Sequence, residues 1–389
     1  REEALSVAWM LETLKKDIYV IKAMVEAHTG VPLTVSGEYK GNVSGGTLEY
    51  MSVQPDAINN PICDCPNSGT PHKINFALGT ERVRHQDFII YGQYPLQLVR
   101  QYTSQLQEMD DSEFGARWSC LYTQTLLIES DQLKLITESG RIQYYPLLDV
   151  GQQVIDHEFG LILERISESL FTVQYGEEVL ESYELIAPMT YRLVMQAYIK
   201  VGLTLGLRYD QKRQNGMLGL SHILLKSDDK TLIKLQALYN TKGLIDKIVD
   251  ITALNNEKIL AQYQYDRFNN LIMATNENGH KRSYQYNNEY HQLTRYTDLT
   301  GRGQNLRYES TATDAKAIEE WADDGSFRTR LVWDQNIRKV SVFDAHNVPT
   351  DYYYDLDGFT YRVVYADGLS EWTNRNQNKQ IIKQTERSG

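Results

Sequence analysis

YQYDRFNNLIMATNENGHKRSYQYNNEYHQL, residues 263–293, writes one pattern twice. Tyr263-Gln264-Tyr265-Asp266 returns 21 residues later as Tyr284-Gln285-Tyr286-Asn287. The pattern continues through Leu306-Arg307-Tyr308-Glu309, Leu331-Val332-Trp333-Asp334 and Tyr352-Tyr353-Tyr354-Asp355, with looser copies at Arg208-Tyr209-Asp210 and Leu238-Tyr239-Asn240. Between copies fall turn-forming groups: Asn276-Glu277-Asn278-Gly279, Asp298-Leu299-Thr300-Gly301, Asp323-Asp324-Gly325, Asp344-Ala345-His346-Asn347 and Asp367-Gly368. Two short apolar runs and two turns make one hairpin of about 20 residues, since strands usually run about five or six. A single hairpin cannot bury its apolar face, whereas stacked copies pair edge to edge into one sheet. Residues that recur with the period serve the repeat. Tyr265, Tyr286, Tyr308, Trp333 and Tyr354 are therefore expected to be rungs of a sheet. Asp266, Asn287, Asp334 and Asp355 are expected to form turns by bonding nearby backbone. Tyr suits positions where the ring is packed and the hydroxyl stays wet, and the chain holds 27 Tyr against 9 Phe.

Working outward, the texture stays β for most of the chain. Asp87-Phe88-Ile89-Ile90-Tyr91, residues 121–128 and Leu161-Ile162-Leu163 are apolar runs bounded by Gly, Asp or Asn. Residues 181–201 carry some helical spacing, weakened by Pro188 and several β-branched side chains. Only residues 1–30 show a clear amphipathic helix: Leu11, Leu14, Ile18, Ile21 and Val25 step by three and four, and Gly30 and Pro32 close the segment. Residues 31–73 are rich in Gly, Ser, Asn and Pro and read as a loop-rich connector or plug. The organisation expected is a helix at 1–30, the connector at 31–73, an opening β region at 74–200 and the repeat sheet at 201–389.

The chain of 389 residues carries 40 Lys and Arg against 51 Asp and Glu, a formal charge of −11, and no basic cluster. A nucleic-acid partner is disfavoured. Lys15, Lys16 and Asp17 interrupt the first apolar stretch, so neither a membrane span nor a secretory signal is expected. Cys63, Cys65 and Cys120 are odd in number and suggest a reducing compartment during synthesis. Cys63-Asp64-Cys65-Pro66 with His72 is the one group with metal-ligand character. Its Cys-x-Cys spacing points the thiols to opposite faces of an extended chain and lacks a fourth ligand, so no metal site is expected. His157-Glu158 lacks a second His, Ser221-His222 lacks elbow glycines, and Gly301 and Gly303 lack the third glycine of a phosphate loop. The acidic pairs Asp110-Asp111, Glu177-Glu178 and Asp228-Asp229 adjoin turns and read as solvated.

A tandem aromatic-x-Tyr-Asp repeat with Asp/Asn-x-x-Gly turns resembles the YD repeat of Rhs-family proteins. Upstream, Ile74-Asn75-Phe76-Ala77-Leu78-Gly79-Thr80-Glu81, then Asp87-Phe88, Gly92, Pro95-Leu96 and Arg100-Gln101-Tyr102-Thr103-Ser104, resemble the segment that opens the Rhs shell, and Gly115-Ala116-Arg117-Trp118-Ser119 resembles its next element. The resemblance covers residues 74–374. Leu78 stands where the family has Thr, and Asn287 and Glu309 replace Asp. The resemblance implies a mainly β fold, with hairpins stacked into a curved, cocoon-like sheet that encapsulates a C-terminal toxin, in bacterial effectors carried by type VI secretion in interbacterial competition. It implies as partners the rest of the shell with its toxin domain, PAAR and VgrG spike proteins, a chaperone and an immunity protein. It also implies a bacterial cytoplasmic location before export without a signal peptide. The family's self-cleaving Asp-Pro-x-Gly pair does not occur here, so neither enzyme activity nor a cofactor is expected of this stretch. The alternative expectation is a carbohydrate-binding surface module whose exposed Tyr and Asn side chains meet sugar rings.

Overall fold

The computed structural model describes residues 67–387, apart from Gln93 and Asn378. The helix expected at 1–30, most of the connector at 31–73, and Cys63 and Cys65 lie outside the described residues. What is described is mainly β, built from antiparallel hairpins in chain order with a few short 3-10 turns. It divides into two compact units. One is Thr80–Gly325, and the other joins residues before Thr80 to Ser326–Gly389.

In the first unit, β1 (Arg82–Ile90), β2 (Leu96–Thr103) and β3 (Trp118–Ser119) form a small antiparallel sheet. The main sheet begins with the hairpins β4 (Thr125–Glu129), β5 (Gln132–Ile136) and β6 (Ile142–Pro146). It continues with β7 (Gln153–Asp156), β8 (Leu161–Ser167), β9 (Leu170–Tyr175), β10 (Val179–Ala187), β11 (Thr190–Tyr198) and β12 (Leu203–Arg208). Strand β11 is a branch point: Thr190–Arg192 pair with β4, and Met195–Tyr198 pair with β12. The helical spacing over 181–201 is therefore overruled. Pro188 sits in the tight β10–β11 turn, Met189 takes φ 58°, and the flanking side chains pair across strands.

A side hairpin, β13 (Gln211–Lys212) and β14 (Leu218–Gly219), precedes the repeat meander. The meander runs through β15 (His222–Ser227), β16 (Lys230–Tyr239), β17 (Ile245–Asp250), β18 (Lys258–Tyr265), β19 (Leu271–Asn276), β20 (Lys281–Tyr286), β21 (Leu293–Thr297), β22 (Gly303–Tyr308) and β23 (Ala317–Ala322). Pairing shifts by one residue at Tyr239, Tyr265, Tyr286 and Tyr308, as expected where a short loop is followed by a bulge. The repeat tyrosine is thus the last paired residue before each loop.

The second unit is a meander of β24 (Thr329–Asp334), β25 (Lys339–Phe343), β26 (Pro349–Tyr354), β27 (Thr360–Val364), β28 (Ser370–Arg375) and β29 (Ile381–Thr385). The turn around Gly69–Asn75 docks on it. Trp333 Nε1 donates to the Phe76 carbonyl at 2.7 Å, Thr360 Oγ1 donates to the Asn67 carbonyl at 2.7 Å, and the Phe76 and Tyr352 rings lie 4.1 Å apart.

Candidate functional site

Each repeat supplies two polar devices. The first is a three-residue hairpin loop opened by Asp or Asn. Asp266 Oδ1 accepts from the backbone N–H groups of Phe268 (2.8 Å) and Asn270 (3.0 Å). Asn276 does the same with Asn278 and His280, Asp298 with Thr300 and Arg302, Asp344 with His346 and Val348, and Asp355 with Asp357 and Phe359. The residue three after each one takes positive φ: Asn269 65°, Gly279 82°, Gly301 88°, Asn347 62°, Gly358 84°. A left-handed residue there explains why the position is Gly or Asn. Asp334 caps a 3-10 turn by accepting from Asn336 N–H at 3.2 Å. The loops at Asn287 and Glu309 are longer, whereas Asn240 keeps the three-residue form, its Oδ1 accepting from the N–H groups of Lys242 and Leu244. Asn287 N–H reaches Gln292, and the Glu309 carboxylate accepts from Lys316 N–H.

The second device is the tyrosine hydroxyl. Tyr209 donates to the Leu193 carbonyl (2.6 Å), Tyr239 to Leu220 (2.7 Å), Tyr265 to Ile245 (2.7 Å) and Tyr308 to Leu293 (2.9 Å). Each bond reaches back 15 to 20 residues and ties a copy to chain that precedes it. Tyr286 instead accepts from Trp118 Nε1 at 2.8 Å. Hydroxyls expected to stay wet are bonded to protein, because the sheet puts a partner within reach and spares them desolvation. Tyr263, Tyr284, Tyr308 and Tyr354 are buried, so their faces are closed to a sugar ring.

Against this meander packs the β1–β3 layer, through non-repeating residues. Asp87 on β1 and Arg100 on β2 form a buried ion pair. Arg100 Nη2 donates to Asp87 Oδ1 at 2.8 Å, and its Nε makes a second, short bond to Oδ2. The same carboxylate accepts from the Tyr263 hydroxyl, and Arg100 Nη2 also donates to the Tyr284 hydroxyl at 3.1 Å. The guanidinium lies 4.6 Å from the Trp118 ring centroid and 5.3 Å and 5.7 Å from those of Tyr263 and Tyr284. Burial would lower the Arg100 pKa, but Asp87 outweighs it and the group is held more firmly protonated than usual. His85 is driven the other way. Burial, with Arg282 and Arg100 nearby, lowers it to about 2, so it stays neutral with Nδ1 2.6 Å from the Tyr284 hydroxyl.

Around this pair the opening layer makes further ties. Tyr102, raised to about 12 by burial, donates to the His291 carbonyl at 2.6 Å and accepts from Leu293 N–H at 3.0 Å. Ser104 Oγ accepts from Glu81 N–H, and Ala116 N–H donates to the Asn269 carbonyl at 3.0 Å. Gly115 has φ +101°, and a Cβ there would sit 3.0 Å from Leu271 Cβ, so the chain approaches the Asp266 loop only with Gly. A second buried pair ties the 107–123 segment to the main sheet. Glu113 accepts from Arg192 Nη2 at 2.7 Å, and Arg192 donates also to the Tyr122 carbonyl. Burial pushes the Glu113 pKa up, but the Arg192 charge and Arg213 override it and leave it below the usual range.

Among residues singled out in the sequence, the seam thus joins Asp87, Arg100, Tyr102, Trp118, Tyr265 and Tyr286. Trp333, Asp334, Tyr354 and Asp355 belong to the other unit. His72, half-buried with a pKa lowered by burial, also lies there. Glu113 and Arg192 carried no signal in the sequence: each partner is fixed by contacts 79 residues away.

Residues 71–145 match the family DUF6531, a domain of unknown function. The matched stretch contains the whole β1–β3 layer. No curated protein matches the chain. Among solved structures, the crystal structure of TcdB2-TccC3-Cdc42 is similar at 9% identity with a TM-score of 0.33, over 76% of this chain and 18% of that one. The crystal structure of TcdB2-TccC3-TEV is similar at 11% identity with a TM-score of 0.30, over 77% and 19%. The Tc holotoxin pore of Photorhabdus luminescens is similar at 10% identity with a TM-score of 0.24, over 78% and 22%. The chain spans about a fifth of the length of these proteins.

Proposed function

We propose that this chain is a stretch of wall in an Rhs-like shell that encloses a toxin segment, and that the assembled particle is delivered on a type VI secretion spike. The observation that carries this reading is the use made of the repeat. Its Asp and Asn side chains are spent on loops, its Tyr hydroxyls tie later copies to earlier chain, and the opening layer is keyed onto the meander by the Asp87–Arg100 pair. Such a sheet extends by adding copies, and an extending sheet is what a container needs. The resemblance of residues 74–374 to the opening of an Rhs shell supports the same reading and supplies the delivery route.

The test uses the intact gene product that contains this chain. A segment enclosed by the wall resists added protease until the wall is unfolded, whereas digestion at the rate of the free segment would overturn the container role. Export from a spike-deficient strain at the normal level would overturn the delivery route alone.

A further inference from the structure

Beyond that role, the first unit holds a cavity of about 210 Å³ between the start of β2 and the faces of β11, β12 and β15. Tyr94 and Tyr198 form one wall, their ring centroids 4.9 Å apart. Leu96, Leu205 and Leu225 lie among the lining residues, and the exposed side chains of Gln97 and Glu138 bring the cavity to solvent. Behind Tyr198 runs a chain of hydrogen bonds. Its hydroxyl donates to Gln196 Oε1 at 2.5 Å, and Gln196 Nε2 donates to Glu181 at 2.8 Å. Glu181 is 2% exposed and is held by neutral donors, Gln124 Nε2, Gln196 Nε2 and the Tyr183 hydroxyl.

Negative charge therefore converges here with little compensation. Burial raises the pKa of Glu181 and Glu138 raises it further; Tyr175 and Tyr198 are raised by burial and then by Glu181, with Glu138 adding at both and Arg141 opposing at Tyr175. The cation that bears on Glu138 is the exposed Arg84 of β1, too far for an ion pair. A neutral ligand would leave the two carboxylates unbalanced. An ammonium or guanidinium would meet a carboxylate at the mouth and aromatic rings on one wall, the combination that stabilises a bound cation.

We propose that this cavity binds an ammonium or guanidinium group, carried either by a Lys or Arg side chain of a polypeptide or by a free polyamine. The volume suits the end of one such side chain. Isothermal titration of the full chain with N-acetylarginine amide, N-acetyllysine amide and spermidine tests it, with N-acetylcitrulline amide as the neutral control. Saturable binding of the cations is expected, at least about tenfold tighter than the control, the ratio of a single charge-assisted contact. Tighter binding of the blocked amino acids assigns the group to a polypeptide, and tighter binding of spermidine assigns it to a polyamine. Glu138→Gln, on an exposed side chain, should lower the affinity at least about tenfold at an unchanged unfolding midpoint. Gln97→Lys, which puts a cation at the mouth, should abolish binding. Equal binding of N-acetylcitrulline amide, no saturation by any cation, or full affinity in both variants would overturn the proposal. Saturable binding of glucose in place of the cations would also do so.

Discussion

Replacing Asp87 by Asn should be among the most damaging single changes in the first unit. The substitution keeps the shape of the side chain and removes the charge that Arg100 pairs with. Arg100 is fully buried, its Nη1 already lacks a hydrogen bond, and its other nitrogens reach only Asp87 and the Tyr284 hydroxyl. Breaking a buried pair by removing one partner costs about 3–5 kcal/mol, because a desolvated charge is left behind. For a unit of this size about 2–4 °C of midpoint accompanies each kcal/mol, so the transition should fall by roughly 6–20 °C. The intrinsic fluorescence of Trp118, beside the guanidinium, reports it. Arg100→Met alone should be nearly as costly, since it strands the Asp87 carboxylate. The double variant Asp87→Asn with Arg100→Met should recover most of the loss, because no buried charge is left unpaired and the new amide oxygen at position 87 still accepts from the Tyr263 hydroxyl. The cycle thus carries a coupling of about 2 kcal/mol or more. A shift under about 2 °C for Asp87→Asn, or simple additivity in the cycle, would refute the view that this pair holds the opening layer to the repeats.

Tyr265→Phe leaves the Ile245 carbonyl without its donor and should cost about 1–3 kcal/mol in chemical denaturation, more than a Tyr→Phe change at the exposed Tyr91. Gly115→Ala forces a side chain into φ +101° and against Leu271, and should lower the unfolding midpoint by the equivalent of about 1–3 kcal/mol. Asp355 is buried with its pKa raised to about 6, by burial first and then by Asp357. The folded state therefore favours the protonated acid: its contribution is complete below the ordinary value of 3.8 and is lost as pH rises through about 6. Asp355→Asn keeps the loop acceptor and removes the charge, so it should raise the midpoint at pH 8 and leave it nearly unchanged at pH 4, read from melting curves across pH.

The repeat sheet was legible because its signal is periodic. The spacing of Tyr265, Tyr286, Tyr308 and Tyr354 located strands, and the Asx residues located loops; the decay of the motif at Asn287 and Glu309 was visible, the greater length of their loops was not. Residues 181–201, expected within the opening β region, carried a competing helical spacing because apolar side chains at short range satisfy either period, and the pairing of β10 with β11 decides for the strand. The opening layer was legible as a set of motif residues without roles. Asp87 and Arg100 lie on adjacent strands, but that they face Tyr263 and Tyr284 depends on how one layer is laid over another, which no local pattern encodes. The same holds for the cavity beside Tyr94, whose walls come from six separate stretches of chain.

A sheet of near-identical copies has a weakness that the seam addresses. If every copy offered the same surface, the opening layer could dock one copy early or late at little cost. The residue two before the repeat tyrosine breaks that degeneracy. It is Leu207, Ala237 and Leu306 in three copies of the first unit, all buried and apolar, but Tyr263 and Tyr284 in the two that meet Asp87 and Arg100. A slip by one copy would set the ion pair against Ala237 or Leu306 and forfeit one of its two hydroxyl partners in a buried site, where an unmet polar group costs about 1–3 kcal/mol. Trp118 adds to the discrimination, since its indole N–H donates to Tyr286, the one repeat tyrosine of the five in this unit that accepts a side-chain donor from the opening layer among the described residues. The repeated Tyr-x-Tyr of residues 263–286 therefore does more than mark strands. Its second Tyr continues the sheet, and its first marks where along the sheet the opening layer must sit.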